Sequence, residues 1–430
     1  MSTLPDYIDW VGEHSFAPPH HLTGSEIFGF TLRADRKKLQ ELCNKCINSV
    51  STDVDYQPLN FVLMLFHRVD ALIPHGSKVA MKEKGEVLFF VPVIKWRKLC
   101  ANFWLPEDIC LFIPYIFVNS SPALISGREV YGYPKQWGKI KFYDVDEDRD
   151  GKAGENEMFT LNAFVWPQED GRVDETKRLL TVHWPDQLIA KGMQENFKES
   201  LQQKELPEGV LRIDKPETDD LKEEIKKFSK SLRENFEGSD IDDLRQLLRE
   251  KGLGIEDLEL PSWIILADRL AATAAKFPRI HEAIEWLDSL IDPLLDLLIN
   301  TFTLRLLNFS FTNVFLKQFR DANEPTKACY QAIIEADYSD IKFHNRTIFC
   351  DLPLTRADVY IEYMESHPIA QDLGLLPINR NPKDSPQQHF KATLWIFMEL
   401  DFKLGKGKAV WESTRSSCAD SWNWFCGLFK

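Results

Sequence analysis

Positive charge is what this sequence lacks most: 52 lysines and arginines face 66 acidic residues, a formal net charge of −14 at pH 7. That balance argues against nucleic acid and anionic lipid as partners, since both select basic surfaces. Cysteine is sparse, with eight in 430 residues at scattered positions. The scatter excludes a disulfide framework and suits a reduced, cytoplasmic interior. The opening stretch MSTLPDYIDWVGEH has no basic region followed by an apolar run, so no secretory leader is expected. Long uncharged runs are nearly missing. One, residues 109–127, has membrane-spanning length, but Pro114, Pro122 and the polar Asn119-Ser120-Ser121 interrupt it. Two strands joined by a turn are expected there, with PALISG as the second, and no transmembrane segment. Cys43 and Cys46 form a C-x-x-C without a second pair or histidines at ligand spacing. They share a helical face with Leu39, Leu42 and Ile47, which reads as core packing. No metal cluster, phosphate loop or Ser/His/Asp arrangement stands out, and no metal or cofactor is expected.

What is present is an ordinary globular composition, 44% hydrophobic and 27% charged. Residues 25–165 read mainly as strands: SEIFGFTL, LNFVLMLF, GEVLFFVPVI, CLFIPYIFV and MFTLNAFVW are β-branched and aromatic runs bounded by turn residues. One helix, near 34–48, interrupts them. Strands with so few helices between them predict an antiparallel sheet or barrel. After Trp184 the character changes. Between 185 and 260 there are 20 acidic and 13 basic residues, and apolar residues recur at helical spacing, so amphipathic helices with solvated faces are expected. Strand patterns return after residue 308. The expected layout is a β domain in two parts, 1–184 and 308–412, split by a helical insertion at 185–307 and followed by an aromatic tail at 413–430.

The stretch REVYGYPKQWGK, residues 128–139, sets a lysine on a stiff corner. Pro134 fixes its own φ and pushes Tyr133 towards an extended conformation. Lys135 therefore leaves a non-helical turn among aromatic rings. A lysine so placed either lays its stem on apolar surface or carries an amine tuned for chemistry.

With Gly127, Arg128, Glu129, Tyr133, Pro134 and Lys135 in this order, the segment resembles the G-R-E…Y-P-K motif of the acetoacetate decarboxylase family. SEIFGFTLRADRKKLQELC, VFLKQFRDANEPTKACYQAIIEADYSD and FKATLWIFMELDFKLGKGKAVWE are similar to further parts of that family, so the resemblance covers about 25–165 and 310–412. It implies an α+β fold, mainly antiparallel β, with a cone-like barrel around a buried pocket, interrupted here by the α-helical insertion. Homo-oligomers are common in the family. It also implies that Lys135 forms a Schiff base with a ketone, giving an electron sink for decarboxylation. Only a neutral amine attacks a carbonyl, and a free lysine with a pKa of about 10.4 is almost wholly protonated at neutral pH. Burial or a neighbouring cation must lower that value, as acetoacetate decarboxylase itself exemplifies.

Departures from the motif matter as well. The family's second lysine is Gln136 here. An arginine of the first strand falls at Ser25, and one pocket glutamate falls at Val62. A second pocket glutamate falls at Glu83, with a shift onto Glu86 open. Lys135 and Glu83 are the expected catalytic residues, and Tyr133, Gln136, Val62 and Glu129 are expected to meet the substrate. Lys139, Lys141 and Lys317 are candidate replacement cations. Arg128 and Glu129 read first as a pair supporting the corner, and His67 as a core or rim histidine. The expected function is a lyase acting on a β-keto acid or related ketone. The alternative is a non-catalytic relative that binds an apolar ligand or a protein partner.

Overall fold

The computed structural model describes residues 7–8, 15–76, 81–100, 103–142, 156–164, 176–190, 197–202, 210–212, 305–306, 308–349, 356–378, 387–392 and 394–413. Its first half contains β1 (His20–Arg33), α1 (Arg36–Cys43), β2 (Val54–Pro58), β3 (Phe61–Pro74), β4 (Met81–Cys100) and β5 (Phe103–Val118). Then come α2 (Ser121–Ser126), β6 (Lys135–Lys141), β7 (Glu157–Phe164) and β8 (Thr176–His183). Two short helices, α3 (Asp186–Ala190) and α4 (Phe197–Leu201), precede β9 (Val210–Arg212). The later part holds β10 (Thr312–Arg320), β11 (Ala328–Phe349), β12 (Asp358–Glu362), α5 (Ile369–Asp372), β13 (Gln387–Lys391), β14 (Leu394–Leu404) and β15 (Lys408–Glu412).

The fold is α+β and strand-dominated, with a mixed sheet whose pairings close on themselves. Going round, β5 pairs β10, β10 pairs β11, β11 pairs β14, β14 pairs β1, β1 pairs β3, β3 pairs β4, and β4 returns to β5. Only the β5–β10 contact in this ring is parallel. A second run, β6–β7–β8–β12–β13, continues from β5 through a parallel β5–β6 pairing.

Strand alternation divides the interior in two. Along β3, Leu63 and Leu65 belong to one buried core while Val62, Met64 and Phe66 belong to the other. The second core is aromatic: Phe66 stacks on Phe159 with centroids 4.4 Å apart, and Phe349 stacks on Trp395 at 3.5 Å. It is solid. The first core is hollow and carries the site described below.

The expected helix near 34–48 is α1 followed by a π-helical turn, Asn44–Asn48, with Asp35 accepting from the Lys37 and Lys38 amides as its cap. Cys43 is buried and Cys46 half-buried; burial pushes both thiols up, which fits packing rather than redox work. The expected second strand at PALISG is instead α2. Pro122 lies in its first turn and Ser120 is extended at the cap position. Proline suits a helix start and cannot donate to a strand ladder, so local chemistry overrides the apolar run.

Parts of 185–307 are described and pack on the β domain. Phe197 and Leu201 of α4 are buried in the aromatic core, and β9 pairs β11. The helices expected across 213–304 and the tail at 414–430 lie outside the described residues. Among the described residues no helix is long and apolar enough to cross a membrane, and no group of side chains is arranged to hold a metal.

Candidate active site

The site begins with a turn. A π-helical turn, Gly127–Tyr131, follows α2, and the Gly127 carbonyl accepts from the amides of Gly132 and Tyr133 at 3.1 and 3.0 Å. Gly132 has φ +89°, and a Cβ there would fall 2.4 Å from Lys317 Cα on β10, so this position demands glycine. Lys135 then opens β6 opposite Ile116 of β5. Arg128 donates from Nη1 to the Lys135 carbonyl at 2.9 Å, locking the corner. A Cβ on Gly127 would lie 2.5 Å from both Cδ and Cε of Lys135. Glycine there gives the lysine stem its passage inward.

The Lys135 Nζ lies 2.6 Å from Glu86 Oε1, and both side chains are only 7% exposed. Glu86 stands opposite His67 in the β3–β4 ladder, and its second oxygen is 3.5 Å from His67 Nδ1. The amine also sits 5.4 Å from the centre of the Tyr133 ring. These groups face a cavity of about 690 Å³, its open mouth included. Ile27, Leu65, Leu88, Phe90 and Ile116 supply much of its wall, with His20, Tyr131 and Tyr338 among the polar members.

Three phenols crowd the amine's side of the cavity. Burial pushes the Tyr133 and Tyr338 hydroxyls up, and the nearby Glu86 charge adds to this, so both remain neutral donors. Tyr131 is also pushed up by burial and donates to the Gly405 carbonyl at 2.9 Å. The Asn313 amide, fully buried, offsets part of the rise at Tyr133 and Tyr338. Among the described residues neither of its amide atoms reaches bonding geometry with a partner, so Asn313 is a neighbour of the pair, not a bonded member.

The resemblance at Gly-Arg-Glu…Tyr-Pro-Lys implied a lysine in a buried pocket; here Lys135 also contacts a buried carboxylate, Glu86, a contact that was not expected. Residues 10–164 match the family described as "Acetoacetate decarboxylase (ADC)". Over that stretch the chain is similar to the acetoacetate decarboxylase family. No curated protein matches the sequence. Solved structures of acetoacetate decarboxylase type resemble it at a distance. The acetoacetate decarboxylase of Legionella pneumophila is 11% identical, with 96% of this chain and 93% of that one covered and a TM-score of 0.45. An acetoacetate decarboxylase-like enzyme from Sphingomonas wittichii RW1 is 10% identical, with 95% and 100% covered and a TM-score of 0.40. The enduracididine biosynthesis enzyme MppR, with HEPES buffer bound, is 9% identical, with 93% and 90% covered and a TM-score of 0.42. Similarity this remote carries nothing about chemistry.

The candidate residues scatter unevenly around this site. Lys135 and Tyr133 line the cavity as expected. The backbone of Glu83 belongs to β4, but its side chain lies outside the described residues; Glu86, three positions on, is the carboxylate that meets Lys135. Val62 does not face the cavity. It is buried in the aromatic core, because its parity in β3 is opposite to that of Leu65 and His67. Gln136 is likewise turned away, one residue past Lys135, and its Oε1 accepts from His367 Nε2 at 2.6 Å. Glu129 accepts from the Tyr7 hydroxyl on the outer side of the turn and is not part of the cavity wall. Arg128 supports the corner, but through the Lys135 carbonyl rather than through Glu129.

The replacement cations do not take the second lysine's place. Lys317 donates to the Val130 carbonyl at 3.0 Å, and burial lowers its pKa against the pull of Glu129. Lys139 and Lys141 are absent from the cavity wall. Ser25 is fully buried, and its hydroxyl has no hydrogen-bond partner among the described residues. His67, expected in the core or rim, is a buried member of the site. His20 and Tyr338 were not anticipated at all. His20 follows two prolines at the start of β1, and Tyr338 sits in an alternating strand; neither context distinguishes a cavity residue from a core one.

Proposed function

We propose that the protein is a Schiff-base-forming lyase of the acetoacetate decarboxylase type, in which Lys135 condenses with the keto group of a β-keto acid or related ketone. The observation that carries this reading is the 2.6 Å contact of Lys135 Nζ with Glu86 at the wall of an apolar cavity. Two buried partners that have both lost water can exchange a proton at small cost, because neither charged form is well solvated. Glu86 takes a proton from the ammonium, and the freed amine attacks the carbonyl carbon. Glu86 then returns that proton to the hydroxyl, which leaves as water. With a β-keto acid, the bond to the carboxylate breaks, its electrons pass into the iminium, and carbon dioxide departs. Protonation of the enamine and hydrolysis release the ketone and restore the amine.

One observation favours a second reading, ligand binding without turnover. Gln136 is uncharged and faces His367, so this position supplies no cation to oppose the charge on Lys135, and Glu86 favours that charge. Borohydride trapping separates the two. Incubating the protein with a panel of ketones and keto acids, then reducing, should add one ligand mass to the peptide carrying Lys135. Carbon dioxide release from the reactive keto acids should accompany it. Labelling without release supports the binding role, and no labelling of folded protein sinks the Schiff-base reading.

A further inference from the structure

The cavity continues well past the amine. His67 lies opposite Glu86 in one ladder and opposite Ile27 in the other, so these residues and Lys135 mark one level of the ring. From there the wall runs on to Leu72, to its β1 partner Leu22, and to Phe402 and Leu404 of β14. Between residues 67 and 72 the strand rises roughly 16 Å, at about 3.3 Å per residue. This arm is a largely apolar trough that ends at His20, opposite Leu404, with Tyr338 and Leu404 half-buried at its margin. On the other side of the pair the wall is Leu65, Leu88 and Phe90.

The charges at the pair's level decide what fits. Lys135 and Glu86 balance one another, and no arginine is among the described residues of the wall. A carboxylate brought beside the amine would also lie beside Glu86 and against apolar walls that return none of its lost hydration. A neutral carbonyl needs only the amine, with the Tyr133 and Tyr338 phenols as neutral donors nearby.

We infer that this cavity takes an uncharged, chain-like ketone, its carbonyl at Lys135 and its alkyl chain in the trough towards Leu72 and Leu404. The carbonyl end rests on the Schiff-base reading; the chain end rests on the trough alone. With such a ligand the amine lone pair forms the C–N bond. The carbonyl oxygen leaves as water with one amine proton and the proton held by Glu86. There is then no carbon dioxide to lose. A C–H bond next to the iminium breaks, its proton goes to Glu86, and its electron pair forms the enamine and neutralises the nitrogen. Reversal in deuterated water places deuterium on that carbon.

The test uses the full chain, borohydride, and methyl ketones graded from acetone to a long-chain member. A non-decarboxylating keto acid of matching length is run beside each. The half-saturating concentration for labelling Lys135 should fall roughly fourfold per added methylene while the chain stays in the trough. Each ketone should label at lower concentration than its acid, and Glu86→Gln should narrow that gap. Long-chain ketones should also gain deuterium next to the carbonyl, followed by nuclear magnetic resonance. Labelling that ignores chain length, or that prefers the acids, overturns the inference while leaving Lys135 as the Schiff-base residue. No labelling by any ketone defeats the Schiff-base reading and the inference with it. In that case, graded thermal protection by long-chain alcohols would preserve only the trough as an apolar site. Should Glu86→Gln fail to fold, the wild-type series decides alone.

Discussion

A lysine and a glutamate in contact inside a protein are each other's condition for being there. Removing one partner of a buried pair leaves an uncompensated charge and costs about 3–5 kcal/mol, whereas replacing both with apolar groups is often neutral. Lys135→Met should therefore destabilise the protein strongly, Glu86→Gln less because the amide oxygen can still accept from the Lys135 ammonium, and Lys135→Met with Glu86→Leu should recover most of the loss. Denaturant unfolding of the three variants checks this; additive losses in the double variant would mean the pair is not coupled. Lys135 was legible in the sequence because its motif fixes residue type and spacing together. Val62 and Gln136 were not, because strand parity decides the face and a one-residue offset reverses it. Glu83 and Glu86 have opposite parity in β4, and the β3–β4 register sets Glu86 opposite His67.

At the scale of elements, β4, β5 and β11 are tied by a second buried cation. Lys95 contacts Glu335 at 2.6 Å and Glu107 at 3.2 Å. Burial pulls the Lys95 pKa down, but the bond and charge of Glu335, with Glu107, outweigh it and leave it raised. A raised lysine contributes stability in full below its unfolded value of about 10.4, and loses it as pH climbs through the folded value above that. Glu107 runs the other way. Burial raises it, yet Arg97 and Lys95 together hold it below the usual carboxylate range. Its contribution is present above about 4.3 and fades as pH falls through the lowered value. The melting temperature should thus be flat across neutral pH and fall at both ends. Lys95→Met should lower the plateau and flatten the alkaline fall; an unchanged alkaline limb would count against the clamp. Neither Lys95 nor the helix at Ser121–Ser126 stood out beforehand. The lysine's partners are distant in sequence, and a six-residue apolar stretch fits a strand and a buried helix equally well.

Among the described residues, strands from both ends of the chain join one ring of pairings. The strand pattern alone left a sheet or a barrel open, and only the resemblance implied closure. The anticipated boundary at 184–185 needs moving in any excision, since Phe197 stacks near Trp395 with centroids 6.1 Å apart and β9 extends β11. Replacing 213–304 with a short flexible linker should preserve the β-rich circular dichroism and a cooperative melt, because long surface insertions carry little closure cost. Excising from 186 instead should cost several kcal/mol, of the order expected for losing a buried phenylalanine and more. A chain that unfolds after the smaller excision would show that those residues are part of the core.

The ring's closure has a consequence for how the protein comes into being. Its strands β1, β3, β4 and β5 leave the ribosome first, and β10, β11 and β14 follow only after the stretch from 118 to 312 has been made. At about 5–20 residues per second that interval is on the order of ten to forty seconds. Until it ends the nascent half-ring has β1 unpaired towards β14 and β5 only partly covered by β6, with an apolar inner face exposed. The Gly24 amide must wait for Asp401, 377 residues downstream. Polypeptides ending before β14 would have no way to cover those edges, so early termination should yield insoluble chains bound to chaperones, not a smaller working protein.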